Sequence, residues 1–373
     1  MHIVIFLLVL ATLVIVHEFG HFIVAKMVGM KVEEFAVGFP PRLWSKKVGD
    51  TLYSINLIFV GGFVKIFGET EGTEKENNIH DSKLERKNKS GSFSSKSRLA
   101  QAAVVLAGVC MNFIAAWFML VGAYAVGVQV GIDDTNRALA SDAHIEIMGV
   151  MPKAPAEHAG IIAGDTLLSM QTGSEVLDAS STASQASDFI TKHGDESIVV
   201  SVARKGVKHN FVAIPQAGVI SSEPNRKAIG VSFADVGTIQ PSFQSAFVDG
   251  TKLFMRESVM VAQGLGGFFL NLFSGSLNMN EVSGPVGIAR IGGAAAQDGA
   301  GALLMFAAMV SINLAFVNFL PIPGLDGGRL IFIVIESVIG KAIHRRWYDR
   351  FATAGFTLLI SLMLFVTYHD IFR

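Results

Sequence analysis

Two histidines four positions apart, with a glutamate beside the first, are the residues of this chain best suited to chemistry. They are His17, Glu18 and His21, in the run His-Glu-Phe-Gly-His. On an α-helix, positions i and i+4 differ by about 40° in direction, so both imidazoles lie on one face. Such a pair can hold one Zn²⁺ through ring nitrogens. Glu18 is then placed to take a proton from water that the metal has made acidic. The bland alternative is a set of polar residues at a helix end, touching lipid headgroups.

A catalytic zinc usually takes three protein ligands. The best remaining candidate is Asp326, in Asn318-Phe-Leu-Pro-Ile-Pro-Gly-Leu-Asp326-Gly-Gly. Pro321 and Pro323 remove two backbone donors and should break a helix. Gly324, Gly327 and Gly328 permit unusual backbone angles. The competing reading for Asp326 is an ion pair with Arg329, three positions on. Asn318 is either a polar packing residue or a donor to a substrate main-chain group or oxyanion.

Apolar segments must position these groups. The chain has 373 residues, 51% of them hydrophobic and 16% charged. Soluble domains carry about 25% charged residues, so the deficit points to a membrane. A net charge of −1 offers no basic field for nucleic acid, and one cysteine, Cys110, excludes an internal disulfide framework. Four stretches reach the roughly 20 apolar residues that a bilayer crossing needs. They are assigned to 1–28, 98–132, 301–340 (broken at Pro321 and Pro323) and 350–370. The first lacks the basic start and the cleavage site of a signal peptide. His17 falls about 21 Å along that helix from Ile3, within a hydrocarbon core about 30 Å thick.

The segment 29–97 is rich in lysine and arginine, and so is the short loop after 340, which places both on the cytoplasmic side. Both termini and the long region between the second and third crossings then lie outside. Thr51 to Ile66 is rich in β-formers and interrupted by Gly61 and Gly62, which predicts strands with a kink. They form either a small sheet without substrate contact or an edge to which an unwound substrate adds. Thr70 to Ser97 turns polar and reads as a flexible linker. Residues 140–215 have the composition of a soluble domain. Val150-Met-Pro-Lys-Ala-Pro-Ala-Glu-His-Ala-Gly, followed by Gly164-Asp165 before a strand, resembles the core of a bacterial PDZ domain. Gly173 to Ser187 reads as a flexible insertion. Residues 216–300 read as an amphipathic connection, lying in the membrane interface or packed on the soluble domain.

Taken jointly, five stretches make the chain resemble the site-2 protease family, in its bacterial RseP-like type with one PDZ-like domain. They are His17-Glu18-x-x-His21, Val60-Gly-Gly-Phe-Val-Lys-Ile-Phe-Gly-Glu69, Leu106-Ala-Gly-Val-Cys-Met-Asn112-Phe, Ser283-Gly-Pro-Val-Gly-Ile288 and Asn318-x-x-Pro-x-Pro-x-x-Asp326-Gly. The resemblance implies a polytopic α-helical membrane protein of the bacterial inner membrane, with four transmembrane helices. It also implies a membrane-associated β-hairpin and an inserted extracytoplasmic PDZ-like domain. It implies a Zn²⁺ metalloendopeptidase that cuts single-span membrane proteins, such as an anti-sigma factor or signal-peptide remnants, within or near the lipid bilayer. Carried over by position, His17, His21 and Asp326 are the zinc ligands and Glu18 is the base. Asn318, Gly61 and Gly62 would hold the substrate backbone. The PDZ-like domain would bind a substrate tail or act as a size filter.

Two other classes compete. A non-catalytic membrane scaffold would use the PDZ-like domain alone, yet needs no Glu18. A metal transporter would carry polar residues along a whole path, whereas here they cluster in two short segments.

Overall fold

The computed structural model describes residues 2–69, 91–132, 140–204, 206–220, 223, 225–239, 241–274, 284–341 and 343–372. Most of the polar run expected as a flexible linker, 70–90, lies outside these residues. The chain forms two units, one of Met1–Ala123 with Phe247–Arg373, the other Tyr124–Ala246.

The first unit begins with helix α1 (His2–Met27), apolar all round except for the His-Glu-Phe-Gly-His run. Strands β1 (Val32–Val48) and β2 (Thr51–Ile66) follow. Each folds back on itself: 62–66 runs antiparallel to 32–37 and 42–48 antiparallel to 51–56, while 34–37 and 52–55 ascend together. The register sets 62–66 beside 32–37, then 51–56, then 42–48. Gly38, at φ +83°, lets β1 cross over the second segment, since a Cβ there would lie 2.9 Å from the Asn56 carbonyl oxygen. Gly61 lets β2 lie against α1, and Gly62 lets it lie against β1. A Cβ on Gly61 would stand 3.2 Å from Val14 Cγ1, and one on Gly62 would strike the Ala36 carbonyl oxygen. Buried polar side chains lock the sheet: Thr51 Oγ1 donates to Val32 O at 2.9 Å and Asn56 Nδ2 to Gly38 O at 3.0 Å.

Helix α2 (Arg98–Val126) ends at Gly127, whose φ of +110° is outside the helical region. The charge-free stretch from Leu99 to Ile132 was expected to be helical throughout. Its last part instead pairs as strand β3 (Val128–Gly131), because hydrophobicity without periodicity does not distinguish a helix from a buried strand. The chain re-enters this unit within helix α5 (Phe243–Ser274), and α6 (Pro285–Gln297) and α7 (Ala300–Phe319) follow. The chain then breaks over 320–325 and restarts as α8 (Asp326–Ile339), followed by α9 (Arg345–Phe372). Among the described residues, Ile3–Met27, Arg98–Val126 and Ala300–Phe319 are the helices long and apolar enough to cross a membrane.

The second unit is a mostly antiparallel sheet. Strands β4 (Ala140–Val150), β5 (Thr166–Thr172), β6 (Glu175–Asp178), β7 (Ile198–Arg204), β8 (Val207–Ala213) and β9 (Val231–Ile239) join β3. The order is β3-β9-β4-β5-β7-β8, with β6 on β5. Ile145 and Ile147, and Ile198, Val200 and Val202, alternate inward along their strands, and a register shift between Leu167 and Ser169 brings Leu167 and Met170 onto the same buried face. Short helix α3 (Pro155–Ala159) and helix α4 (Ala183–Lys192) cover it. The stretch expected as a flexible insertion is thus ordered as β6 and the start of α4. A reciprocal cap explains the helix: Thr182 Oγ1 accepts from the Gln185 amide, and Gln185 accepts from the Thr182 amide. The unit also extends past 215, since β9 lies between β3 and β4.

Candidate functional site

The site lies entirely in the first unit, where α1, α2 and the break before α8 meet. His17, His21 and Asp326 each aim one ligand atom at the same point, all within 4.8 Å of one another. His17 Nε2 is 3.0 Å and His21 Nε2 is 3.2 Å from Asp326 Oδ2, and the two Nε2 atoms are 3.2 Å apart. This geometry bears on two alternatives left open by the sequence. The imidazoles do not lie at the surface of this unit, since His17 is 6% exposed. Nor does Asp326 pair with Arg329, which bonds Glu69 instead and stacks on Phe93.

Backbone geometry brings these groups together. Gly20 and Gly108 let α1 and α2 approach closely, as small residues do between membrane helices. A Cβ on Gly20 would sit 2.9 Å from the Ala107 carbonyl carbon and from Met111 Cβ. A Cβ on Gly108 would sit 2.6 Å from His21 Cε1 and 2.7 Å from His17 Cε1. After α7 the chain turns through Pro321 and Pro323. Gly327 and Gly328 then press on the Phe319, Leu320 and Ile322 carbonyls, where no side chain would fit. That turn sets Asp326 at the first position of α8.

The surroundings orient each group. His21 Nδ1 donates to the Val104 carbonyl at 2.7 Å, which leaves its Nε2 lone pair facing the cluster. His17 Nδ1 lies 3.2 Å from Asn112 Nδ2. Glu18 Oε2 accepts from the Val64 amide at 3.1 Å, so strand 62–66 holds the carboxylate beside the cluster. Asn318 Nδ2 lies 3.5 Å from His17 Nε2. A cavity of about 190 Å³ opens here, lined by His17, Glu18, His21, Val64, Asp326 and Arg329 among others. Gly61 and Gly62 are not in that lining. They pack on α1 a turn earlier, and their neighbours Phe63 and Val64 face the cavity.

These residues fit a metal ion. Asp326 Oδ2 is buried and within ion-pair distance of both rings, yet no hydrogen bond is made to it among the described residues. Three atoms that can each offer an electron pair, two imidazole nitrogens and a carboxylate oxygen, converge on one point, where a metal ion or a ring proton relieves their repulsion. Two nitrogens and an oxygen form a donor set that zinc accepts, with room for a further ligand in the cavity. Sequence reasoning missed Asn112 and Gly108 as parts of the site. The available signal was a lone asparagine four positions after a glycine in an otherwise apolar helix, a spacing that places both on one face.

Comparison with known proteins agrees with this geometry. Residues 5–362 match peptidase family M50. A protein of Nostoc sp. (strain PCC 7120), under the provisional name of zinc metalloprotease, is 32% identical over 96% of this chain and 92% of its own length. One of Clostridium perfringens with the same kind of name is 32% identical over 100% and 98%. One of Campylobacter jejuni is 27% identical over 98% and 92%.

Proposed function

The chain belongs to peptidase family M50, the site-2 protease family of zinc metalloproteases, and from that premise we propose that it is an endopeptidase cutting single-span membrane proteins inside the bilayer. One observation carries the reading. His17, Glu18 and His21 sit on a helix apolar enough to span a membrane, and Asp326 joins them from the first position of α8, at the wall of a cavity. Polar groups in such a helix are costly unless they serve a buried site or a water-filled space.

In this reading His17, His21 and Asp326 hold the zinc. Zinc supplies Lewis acidity, which polarises the scissile carbonyl and makes water nucleophilic at neutral pH. Glu18 takes the proton from the attacking water with one carboxylate oxygen, while the Val64 amide holds the other in place. The same carboxyl then delivers that proton to the departing amine. Asn318, 3.5 Å from His17 Nε2, is placed to donate to a substrate carbonyl at the reacting centre.

A helical substrate shields its carbonyls in its own hydrogen bonds, so it must unwind before cleavage. Segment 62–66 is the outer segment of the small sheet and passes the cavity. An unwound substrate would extend that sheet as a further strand. Gly61 and Gly62 would contribute by setting the path of this segment rather than by touching the substrate. The exposed Leu43, Trp44, Leu57, Ile58 and Phe59 at the far end of the sheet suit contact with lipid.

Helix α9 supplies the fourth crossing, and the basic residues of 29–97 keep the small sheet on the cytoplasmic side. The second unit then lies outside as the PDZ-like domain. Inner-membrane residence and a role in regulated proteolysis or signal-peptide clearance belong to the same proposal.

The test uses the purified full chain in detergent, a tagged single-span substrate, and Glu18→Gln. Removing a general base costs about 10²–10⁴-fold in rate. Loss of cleavage on that scale, with about one zinc retained per chain, supports the assignment. Equal cleavage by parent and variant would refute it.

A further inference from the structure

We propose that Asn112 is a positioning residue for the metal. When metal binds, the Asn112 side-chain carbonyl holds His17 in the tautomer whose Nε2 lone pair faces the zinc. The proposal rests on the ligand assignment above.

The two histidines differ in what holds them. His21 Nδ1 faces the Val104 carbonyl at 2.7 Å. A carbonyl only accepts, so Nδ1 carries the proton and Nε2 is free to ligate. Among the described residues His17 Nδ1 faces no main-chain carbonyl. It faces the amide of Asn112 at 3.2 Å, where the amide nitrogen stands nearest. In that arrangement Asn112 donates, Nδ1 accepts, and the proton of a neutral ring must sit on Nε2. There it points toward Asp326 Oδ2, 3.0 Å away, and blocks the position a metal would take.

The two ends of an amide have nearly the same shape. A half-turn about the Cβ–Cγ bond brings Oδ1 to the ring and reverses the polarity. Nδ1–H then donates to Asn112, and the Nε2 lone pair faces the cluster. Asn112 Oδ1 is buried and unpartnered among the described residues, so the turn breaks no hydrogen bond of that oxygen. Asparagine thus supports His17 both without and with the metal. An aliphatic residue supports neither state.

The placement is firm. Asn112 is 0% exposed, and its main-chain carbonyl accepts from Ser311 Oγ at 2.8 Å, which ties α2 to α7 at this level. It lies one turn beyond Gly108, whose face of α2 passes the two imidazoles. A buried amide in an apolar helix also has a plainer use as a hydrogen-bonding link between helices. That use predicts an effect on stability and none on metal affinity.

The experiment measures zinc affinity by chelator competition on the full chain in detergent, for the parent, His17→Ala, Asn112→Leu and Asn112→Asp. Loss of an outer-shell partner weakens metal binding by about 10–100-fold. Asn112→Leu should show that loss. Asn112→Asp, which still accepts from Nδ1–H, should retain most of the parent's affinity. A histidine ¹⁵N spectrum of the zinc-loaded parent should show His17 protonated at Nδ1, a result that needs no folded variant. Parental affinity in Asn112→Leu, equal weakening in Asn112→Asp, or His17 protonated at Nε2 would each overturn the proposal. Unchanged zinc binding in His17→Ala would instead overturn the ligand assignment itself.

Discussion

Gly108→Ala should separate the metal site from the fold. The added methyl would stand 2.6 Å from His21 Cε1 and 2.7 Å from His17 Cε1. Carbon atoms in contact prefer about 3.5–4.0 Å. Relief therefore needs roughly 1 Å of movement, and the atoms best able to move are the ends of the two rings. A zinc–nitrogen bond near 2.0–2.1 Å tolerates only about 0.2 Å. The rings can swing aside at modest cost to the helix pair, but they then no longer meet at one point. We expect zinc affinity to fall by at least about 100-fold, and cleavage with it. Thermal stability without metal should fall by no more than about 1–3 kcal/mol. Gly20→Ala is the control. Its methyl meets the Ala107 main chain, so it should cost stability at least as much while its direct effect falls on helix spacing. Chelator competition and metal-free melting of the same samples give both quantities. Parental zinc affinity in Gly108→Ala would refute the argument.

The second unit offers two further tests. Asp165 is fully buried, and Arg204 donates to both its carboxylate oxygens at 2.7 Å. Burial alone would raise the Asp165 pKa, but the Arg204 bonds and charge and the Ile162 amide outweigh it and hold the pKa below its ordinary value. A lowered folded pKa stabilises above the unfolded value, near 3.9, and that stability is lost as pH falls through the folded value. Arg204→Ala should therefore cost about 3 kcal/mol at pH 7, read as faster hydrogen exchange in β5 and β7, with the difference shrinking below about pH 4. Equal protection at pH 7 would contradict this. Thr182→Ala removes the side-chain half of the α4 cap and should cost about 1 kcal/mol in exchange protection of Ala183–Lys192, with the rest of the sheet unchanged.

How legible the molecule was in its sequence depended on the range of the interactions. His17, Glu18 and His21 were legible because one helical period fixes their geometry. Asp326 needed only the scarcity of acids near an interrupted apolar segment. The break at Pro321 and Pro323 follows from missing amides, a local property. Asn112 was not legible as a partner of His17, because the contact joins residues far apart in the chain through a helix crossing. The doubling of β1 and β2 into four segments was hidden for the same reason. Strand β9 carries alternating Val231 and Phe233 but was read as a connection, since its pairing partners lie far away on both sides. The Thr182–Gln185 cap was present in the sequence, yet the surrounding serines and alanines masked it.

The pairing of β3 with β9 has a consequence for the history of such chains. Val128 lies opposite Ile239, and Gly131 opposite Val236, so the point where the chain departs into the second unit adjoins the point where it returns. Neighbouring strands are about 4.8 Å apart. A stalk with its two feet side by side can be lengthened, shortened or exchanged without pulling the host helices out of register. A different module can therefore be grafted at this junction, or the one present duplicated, through a single paired stem.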